Sequence, residues 1–235
     1  MSVEGHGPVA VFEAGLGQTR KTWDAVVPAL AQCLTVVTYD RPGLGQSAPP
    51  KDPAAPILAM DVATRLDAAL KKRGLSGPYL LVGHSLGGLY VEAFARAYPD
   101  EVSGMVLIDG TSPLEPPGVF VSKLPPKPGS VEVGESAGME PSMKEMLKGP
   151  ALPNAPLVVL AATNHEMSPD LETLWRNVQQ RTASLSSKGR FELIDSGLTF
   201  KLTVLKLLPT LCCRLPGRRR LTGWLLVGSI SNWSS

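Results

Sequence analysis

Residues 79–88, Tyr79-Leu-Leu-Val-Gly-His-Ser-Leu-Gly-Gly88, decide the fold. Tyr79 to Val82 is a short uninterrupted apolar run, the kind that fills a parallel sheet covered on both faces. Gly83 to Gly87 fits G-x-S-x-G, and Leu86 to Tyr98 continues as a predicted helix. A serine flanked by glycines between a strand and a helix is the pattern of a nucleophile elbow. The turn is tight, so glycines are needed where neighbouring backbone passes, and the serine occupies a strained conformation. Ser85 Oγ is thereby presented at the carboxyl edge of the sheet, where the Leu86 N–H can meet a developing oxyanion.

Outward from this turn, strands and helices alternate. Val9 to Phe12 is a buried-strand run ending at the glycine turn Glu13-Ala-Gly-Leu-Gly17, the first strand that the apolar pattern itself marks. Trp23 to Ala31 reads as a short helix with Thr22 as N-cap, and Leu34 to Tyr39 as a second β-branched run closed by Asp40-Arg-Pro-Gly-Leu-Gly45. Met60 to Arg73 has Val62, Leu66, Ala69 and Leu70 at helical spacing and stops at Gly74. Met105 to Ile108 is a strand ending at Asp109. Residues 110–156 are rich in proline, glycine and methionine, with one short helical segment expected at Ser142 to Leu147. Leu157 to Ala161, a helix over Leu171 to Leu185 and a strand at Phe191 to Ile194 complete the pattern. The fold class is α/β, a mostly parallel sheet covered by helices on both faces. No internal repeat is present.

Charge divides the chain unevenly. Leu198 to Ser235 holds six of the 23 basic residues and none of the 21 acidic ones, so residues 1–197 carry 17 against 21. The body is therefore net −4, although the whole chain is +2. Hydrophobic residues make up 43% of the 235, too many for a disordered segment. Cys33 is the single cysteine of residues 1–197, so no disulfide forms within the body, which is compatible with a reducing compartment. With no basic n-region at the N-terminus and no apolar stretch of ~18 residues, neither a signal peptide nor a membrane span is expected, and the location is expected to be cytoplasmic. Arg218-Arg-Arg220 could contact nucleic acid or a membrane surface, but no helical apolar face runs through Leu215 to Ile230, so no nucleic-acid partner is expected.

The chain resembles the α/β-hydrolase superfamily, especially its single-domain esterase and lipase-like members, over most of Pro8 to Gly197. Phe12-Glu-Ala-Gly-Leu-Gly17 stands where the family commonly has its His-Gly oxyanion segment, which implies the Leu16 N–H as a second oxyanion donor beside Leu86. Tyr39-Asp-Arg-Pro-Gly-Leu-Gly-Gln-Ser47 resembles the family's D-R-P-G-x-G-x-S turn, read here as structural. Residues 110–156 take the place of the cap that shapes the acyl pocket. Serine at the elbow implies acyl transfer through a covalent intermediate and argues against the aspartate-nucleophile branches of the fold. No metal or organic cofactor is implied.

A serine nucleophile needs a histidine, and the histidine an orienting acid. Family members commonly continue S-G-H after the last strand, then D-R-P. Here Ser196-Gly197 is followed by Leu198-Thr-Phe-Lys201. Codons permitted for those four residues read His-Tyr-Ile-Gln after one added base, and the same frame allows Val-Asp-Arg-Pro-Glu next. Residues 198–235 are therefore read as an aberrant, frameshifted tail behind a hydrolase domain of residues 1–197. The family's N-terminal hairpin is expected to be missing in part, with Met1 inside its second strand.

The chain's histidines are His6, His84 and His165. His6 precedes the first strand, and His84 is read as a packing residue. His165 follows the Leu157 strand at the carboxyl edge, where open α/β sheets bind ligands, and is the surrogate base to test. Asp109 is the first candidate for the acid, then Asp170, then Glu166. The expected function is hydrolysis of a small-molecule carboxylic ester by Ser85, impaired by the absent histidine. The alternative is a non-catalytic protein of the same fold that binds a small ligand.

Overall fold

The apolar runs become the strands of a single sheet in the computed structural model, which describes residues 1–120 and 125–194. Expectations placed on residues 195–235, the tail among them, lie outside the described residues. The strands are β1 (Ser2–Gly5), β2 (Val9–Glu13), β3 (Thr35–Thr38), β4 (Tyr79–His84), β5 (Val102–Ile108), β6 (Leu157–Ala162) and β7 (Gly189–Ile194). Their order across the sheet is β1-β3-β2-β4-β5-β6-β7. Only β1 runs antiparallel, pairing Ser2 with Thr38 and Gly5 with Thr35. The remaining neighbours are parallel.

The period-two alternation of each strand divides the core. Val11, Leu81, Met105, Leu107 and Val159 face α2 (Ala59–Lys72) and α3 (Leu86–Ala97). Phe12, Leu80, Val82, Val106 and Leu160 lie in the second cluster, on the opposite face, with Trp23, Val27 and Leu30. Each fully buried large side chain contributes about 1.5–3 kcal/mol relative to exposure. Eleven of the twelve residues of α3 are buried, so this helix is enclosed on all sides and its N-terminus is held firmly against the sheet.

Three departures from the sequence reading have clear physical causes. Ser2–Gly5 pairs as an edge strand although its residues are mostly exposed, so no apolar alternation marks it. Trp23 to Ala31 is broken into a 3-10 turn at Arg20–Trp23 and a short helix α1 (Val27–Leu30), with Thr22 inside the turn rather than capping. Pro28 has no N–H to give to the carbonyl four residues back, so a continuous helix cannot run through it. The segment expected at Ser142 to Leu147 extends to an 18-residue helix, α4 (Val131–Lys148), with Pro141 inside it. Its signal was hidden because it buries small residues. Ile57 N donates to Gly134 O at 2.9 Å and Ala59 N to Ser142 Oγ at 2.8 Å, so α4 lies directly on the backbone of residues 57–59. The last helix, α5 (Pro169–Ala183), is capped by Ser168, whose side chain accepts from Leu171 N. Among the described residues no helix is long and apolar enough to cross a membrane.

Candidate active site

Ser85 joins β4 to α3 at φ +51° and ψ −125°, a region that residues bearing a Cβ avoid. Its surroundings hold it there. Ser85 N donates to Ile108 O at 3.0 Å, and Ser85 O accepts from Gly88 N at 2.8 Å and Thr111 N at 2.9 Å. A Cβ at Gly83 would sit 2.5 Å from Gly87 O, and one at Gly87 would sit 2.8 Å from Ala14 O. Both glycines are required because backbone, which cannot step aside, fills the space. Ser85 is half-buried, and its Oγ makes no hydrogen bond with a described residue.

The loop after β2 approaches this elbow. Gly15 N donates to Gln18 Oε1 at 3.2 Å, and Gln18 N donates to Gly15 O at 3.1 Å. His84 Nδ1 also lies 3.2 Å from Gln18 Oε1. Arg41, 3% exposed, fastens the loop from behind. Its guanidinium donates to Ala14 O at 2.7 Å and Gly15 O at 2.6 Å, and pairs with Glu13 Oε1 at 2.6 Å and Glu135 Oε1 at 2.6 Å. Tyr39 donates its hydroxyl to the other oxygen of Glu13. Burial works against the Arg41 charge, but Glu13 and Glu135 outweigh it, and its pKa rises above the usual arginine value. The Leu16 and Leu86 N–H groups have no acceptor among the described residues. Leu86 is the first residue of α3, so its N–H is one of the helix's orphan donors and carries the positive end of the helix dipole.

His165 sits beside β5 and β6. Its Nε2 is 3.1 Å from Asp109 Oδ1 and its Nδ1 is 2.9 Å from Glu172 Oε2. Burial pushes the imidazole pKa down, and the hydrogen bonds to the two carboxylates reverse this and raise it to about 9. Trp175 Nε1 and Ala162 N complete the ring of donors around Asp109 Oδ1, at 3.3 and 3.1 Å.

A family model described as alpha/beta hydrolase fold matches residues 8–128. The chain belongs to the α/β-hydrolase family. It is 28% identical to the uncharacterized protein YqjL of Bacillus subtilis over 187 residues, which cover 78% of this chain and 73% of that protein. It is 39% identical over 103 residues to RutD of Cronobacter turicensis, named as a carbamate hydrolase, covering 44% of this chain but 38% of the relative. Among solved structures, a thermophilic esterase from Thermogutta terrifontis superposes with a TM-score of 0.72 at 20% identity, over 89% of this chain and 90% of that one, a likeness of fold.

Within this α/β hydrolase, the carboxyl edge gathers Ser85, the 14–17 loop, Asp109 and His165, as the order of the strands requires. Thr111 N ties the loop after Asp109 to the elbow. No hydrogen bond joins Ser85 to a histidine among the described residues. Asp170 lies exposed in the first turn of α5 and forms no hydrogen bond with Ser85 or His165 among the described residues, and Glu166 sits in the preceding loop at φ +56°. Sequence reasoning missed Glu172 altogether. Its signal was an acid in the first turn of a Ser-capped helix, turned back to accept from His165 N at 2.6 Å and Met167 N at 3.2 Å. It also missed the ion cluster of Glu13, Arg41 and Glu135, whose members lie up to 122 positions apart. No metal-binding group of three or more His, Cys, Asp or Glu occurs among the described residues.

Proposed function

We propose that the protein is a carboxylic ester hydrolase that works through an acyl-enzyme on Ser85. One observation carries this reading: Ser85 is held in a strained elbow with its Oγ uncommitted, beside the unpaired Leu86 N–H. In the proposed reaction Ser85 Oγ attacks the ester carbonyl and gives its proton to solvent water, which in turn protonates the departing alkoxide. The Leu16 and Leu86 N–H groups receive the oxyanion, the alcohol leaves, and water releases the acid. Asp109 is read as the triad's acid, although its imidazole partner here is His165 and not a base beside Ser85. No histidine follows β7 in the sequence, and His165 already spends both ring nitrogens on carboxylates. We therefore propose weak turnover, because losing one triad member costs about 10⁴–10⁶-fold while the oxyanion donors and binding retain some catalysis. A missing general acid penalises poor leaving groups most, which favours activated esters over amides and carbamates. The test is p-nitrophenyl butyrate hydrolysis by the full chain and by Ser85→Ala, with loss of turnover in the variant as the expected result.

The engagement of His165 by Asp109 and Glu172 also favours a second reading, a protein of this fold that binds a small ligand without turning it over. Ester binding with no Ser85-dependent product would select it.

A further inference from the structure

We propose that Arg41 and Glu135 are positioning residues for the oxyanion loop, so that seating α4 and aiming the Leu16 N–H are one event. The inference rests on the reading of Leu16 as an oxyanion donor. Its basis is peptide planarity. The Gly15 carbonyl and the Leu16 N–H belong to the same trans peptide unit, so they point in opposite directions. Arg41 Nη2 holds Gly15 O at 2.6 Å and Gln18 N donates to the same oxygen at 3.1 Å, so the buried arginine and the loop's own turn together set the direction of the Leu16 N–H.

The loop is fastened on both sides of that N–H. Ala14 O is held by Arg41 Nη1 at 2.7 Å, and Gly17 N donates to Glu135 Oε2 at 2.8 Å. Leu16 N–H is left free between these anchors. Glu135 comes from α4, and its second oxygen accepts a hydrogen bond from Arg41 Nε at 2.6 Å. One fully buried carboxylate thus holds the arginine and the loop together. Glu132 of the same helix also lies against the loop, because its side chain fills the space that a Cβ at Gly17 would enter, with Cγ 2.6 Å from that position. Arg41 also lies 5.2 Å from the centre of the Tyr90 ring on α3, which restricts it from the far side.

A displacement of α4 removes the Gly17 anchor and strands the Arg41 charge beside a single carboxylate. The alternative arrangement is poorly solvated, so the loop and helix have one stable joint position. Lysine cannot replace Arg41, because one ammonium cannot span the Ala14 and Gly15 carbonyls and both glutamates.

Arg41→Lys and Glu135→Gln separate positioning from folding. Amide hydrogen exchange over residues 14–18 and steady-state hydrolysis of p-nitrophenyl butyrate are measured on each full-length variant. Arg41→Lys is expected to accelerate exchange at Gly17 and Gln18 at least about tenfold and to lower kcat about 10–100-fold, with KM within about twofold. Glu135→Gln retains a neutral acceptor for Gly17 and is expected to give a smaller effect of the same kind. Unchanged exchange and unchanged kcat in both variants overturn the proposal. So does acceleration spread evenly over all peptides, which reports general destabilisation. If the parent lacks Ser85-dependent turnover, the hydrolase reading fails while the exchange data still decide the positioning of the loop. If the parent turns over and both variants match it, the positioning claim fails and the hydrolase reading stands.

Discussion

His165 Nε2 lies 3.1 Å from Asp109 Oδ1, and this contact turns the imidazole into the centre of a charge clamp. Glu172 takes the other ring nitrogen at 2.9 Å, so both nitrogens serve as donors when the ring is protonated.

The clamp predicts a pH dependence. The His165 pKa is raised from 6.5 to about 9, with burial opposed by the hydrogen bonds to Asp109 and Glu172. A raised pKa in the folded state stabilises the fold fully below pH 6.5, and this contribution disappears as pH rises through 9. A ring titration of His165 by NMR is expected to show a midpoint well above 6.5, and Glu172→Gln is expected to lower it. His165→Ala is expected to lower the melting temperature at pH 6 while leaving any Ser85-dependent hydrolysis unchanged. A midpoint at the ordinary histidine value contradicts the clamp.

The elbow stores strain at Ser85, whose φ is +51°. Glycine adopts this conformation freely, and relief of about 1–3 kcal/mol outweighs the ~0.5–1 kcal/mol entropic penalty of glycine. Ser85→Gly is therefore expected to stabilise the protein by about 1 kcal/mol and to abolish hydrolysis. Thermal melts of the two proteins at one pH check this, and a lower melting temperature for the variant contradicts it.

Glu92 and Glu115 make the opposite kind of demand on pH from a paired surface carboxylate. Burial raises Glu92 to about 7 against the Arg96 charge, and burial raises Glu115 to about 7 against its bond from Ser112 N, with Glu92 adding to the rise. Both favour the neutral acid in the folded state. Their contribution is present below about pH 4.5 and is lost as pH rises through 7, by at most about 3 kcal/mol each. Glu115→Gln keeps an oxygen for Ser112 N and removes the ionisation. Its melting temperature is expected to exceed the parent's at pH 8 and to match it near pH 5. Equal melting curves at pH 8 contradict this account.

The frame change proposed at Leu198 has a direct consequence in DNA. A one-base shift after the Gly197 codon is expected to read Ser-Gly-His-Tyr-Ile-Gln. A protein made in that restored frame is expected to hydrolyse p-nitrophenyl butyrate at least about 10⁴-fold faster. Nucleotide sequencing that shows no such frame removes the proposal.

Much of this site was legible because it rests on local signals. Ser85 needs Gly83 and Gly87 close by in sequence, and a strand before and a helix after, all of which lie within residues 79–98. Asp109 and His165 were legible as carboxyl-edge residues because each follows an apolar strand. The partner of Arg41 was not legible. Glu135 belongs to a helix whose buried positions include Gly134, Gly138 and Ser142, which give no apolar periodicity to a sequence scan. Glu172 was missed for a related reason: a turned-back carboxylate is a property of the preceding loop's path, which short-range spacing does not encode. The edge strand Ser2–Gly5 is held by backbone pairing to β3, and side-chain pattern has little to say about it.

The most direct test of the Ser85 acyl-enzyme is intact-protein mass spectrometry during reaction with p-nitrophenyl butyrate, followed by peptide mapping. The account predicts one butyryl group on the peptide that contains Ser85, and none on Ser85→Ala. Nitrophenolate release that continues unchanged in Ser85→Ala, or an acyl group mapped to another residue, would contradict it.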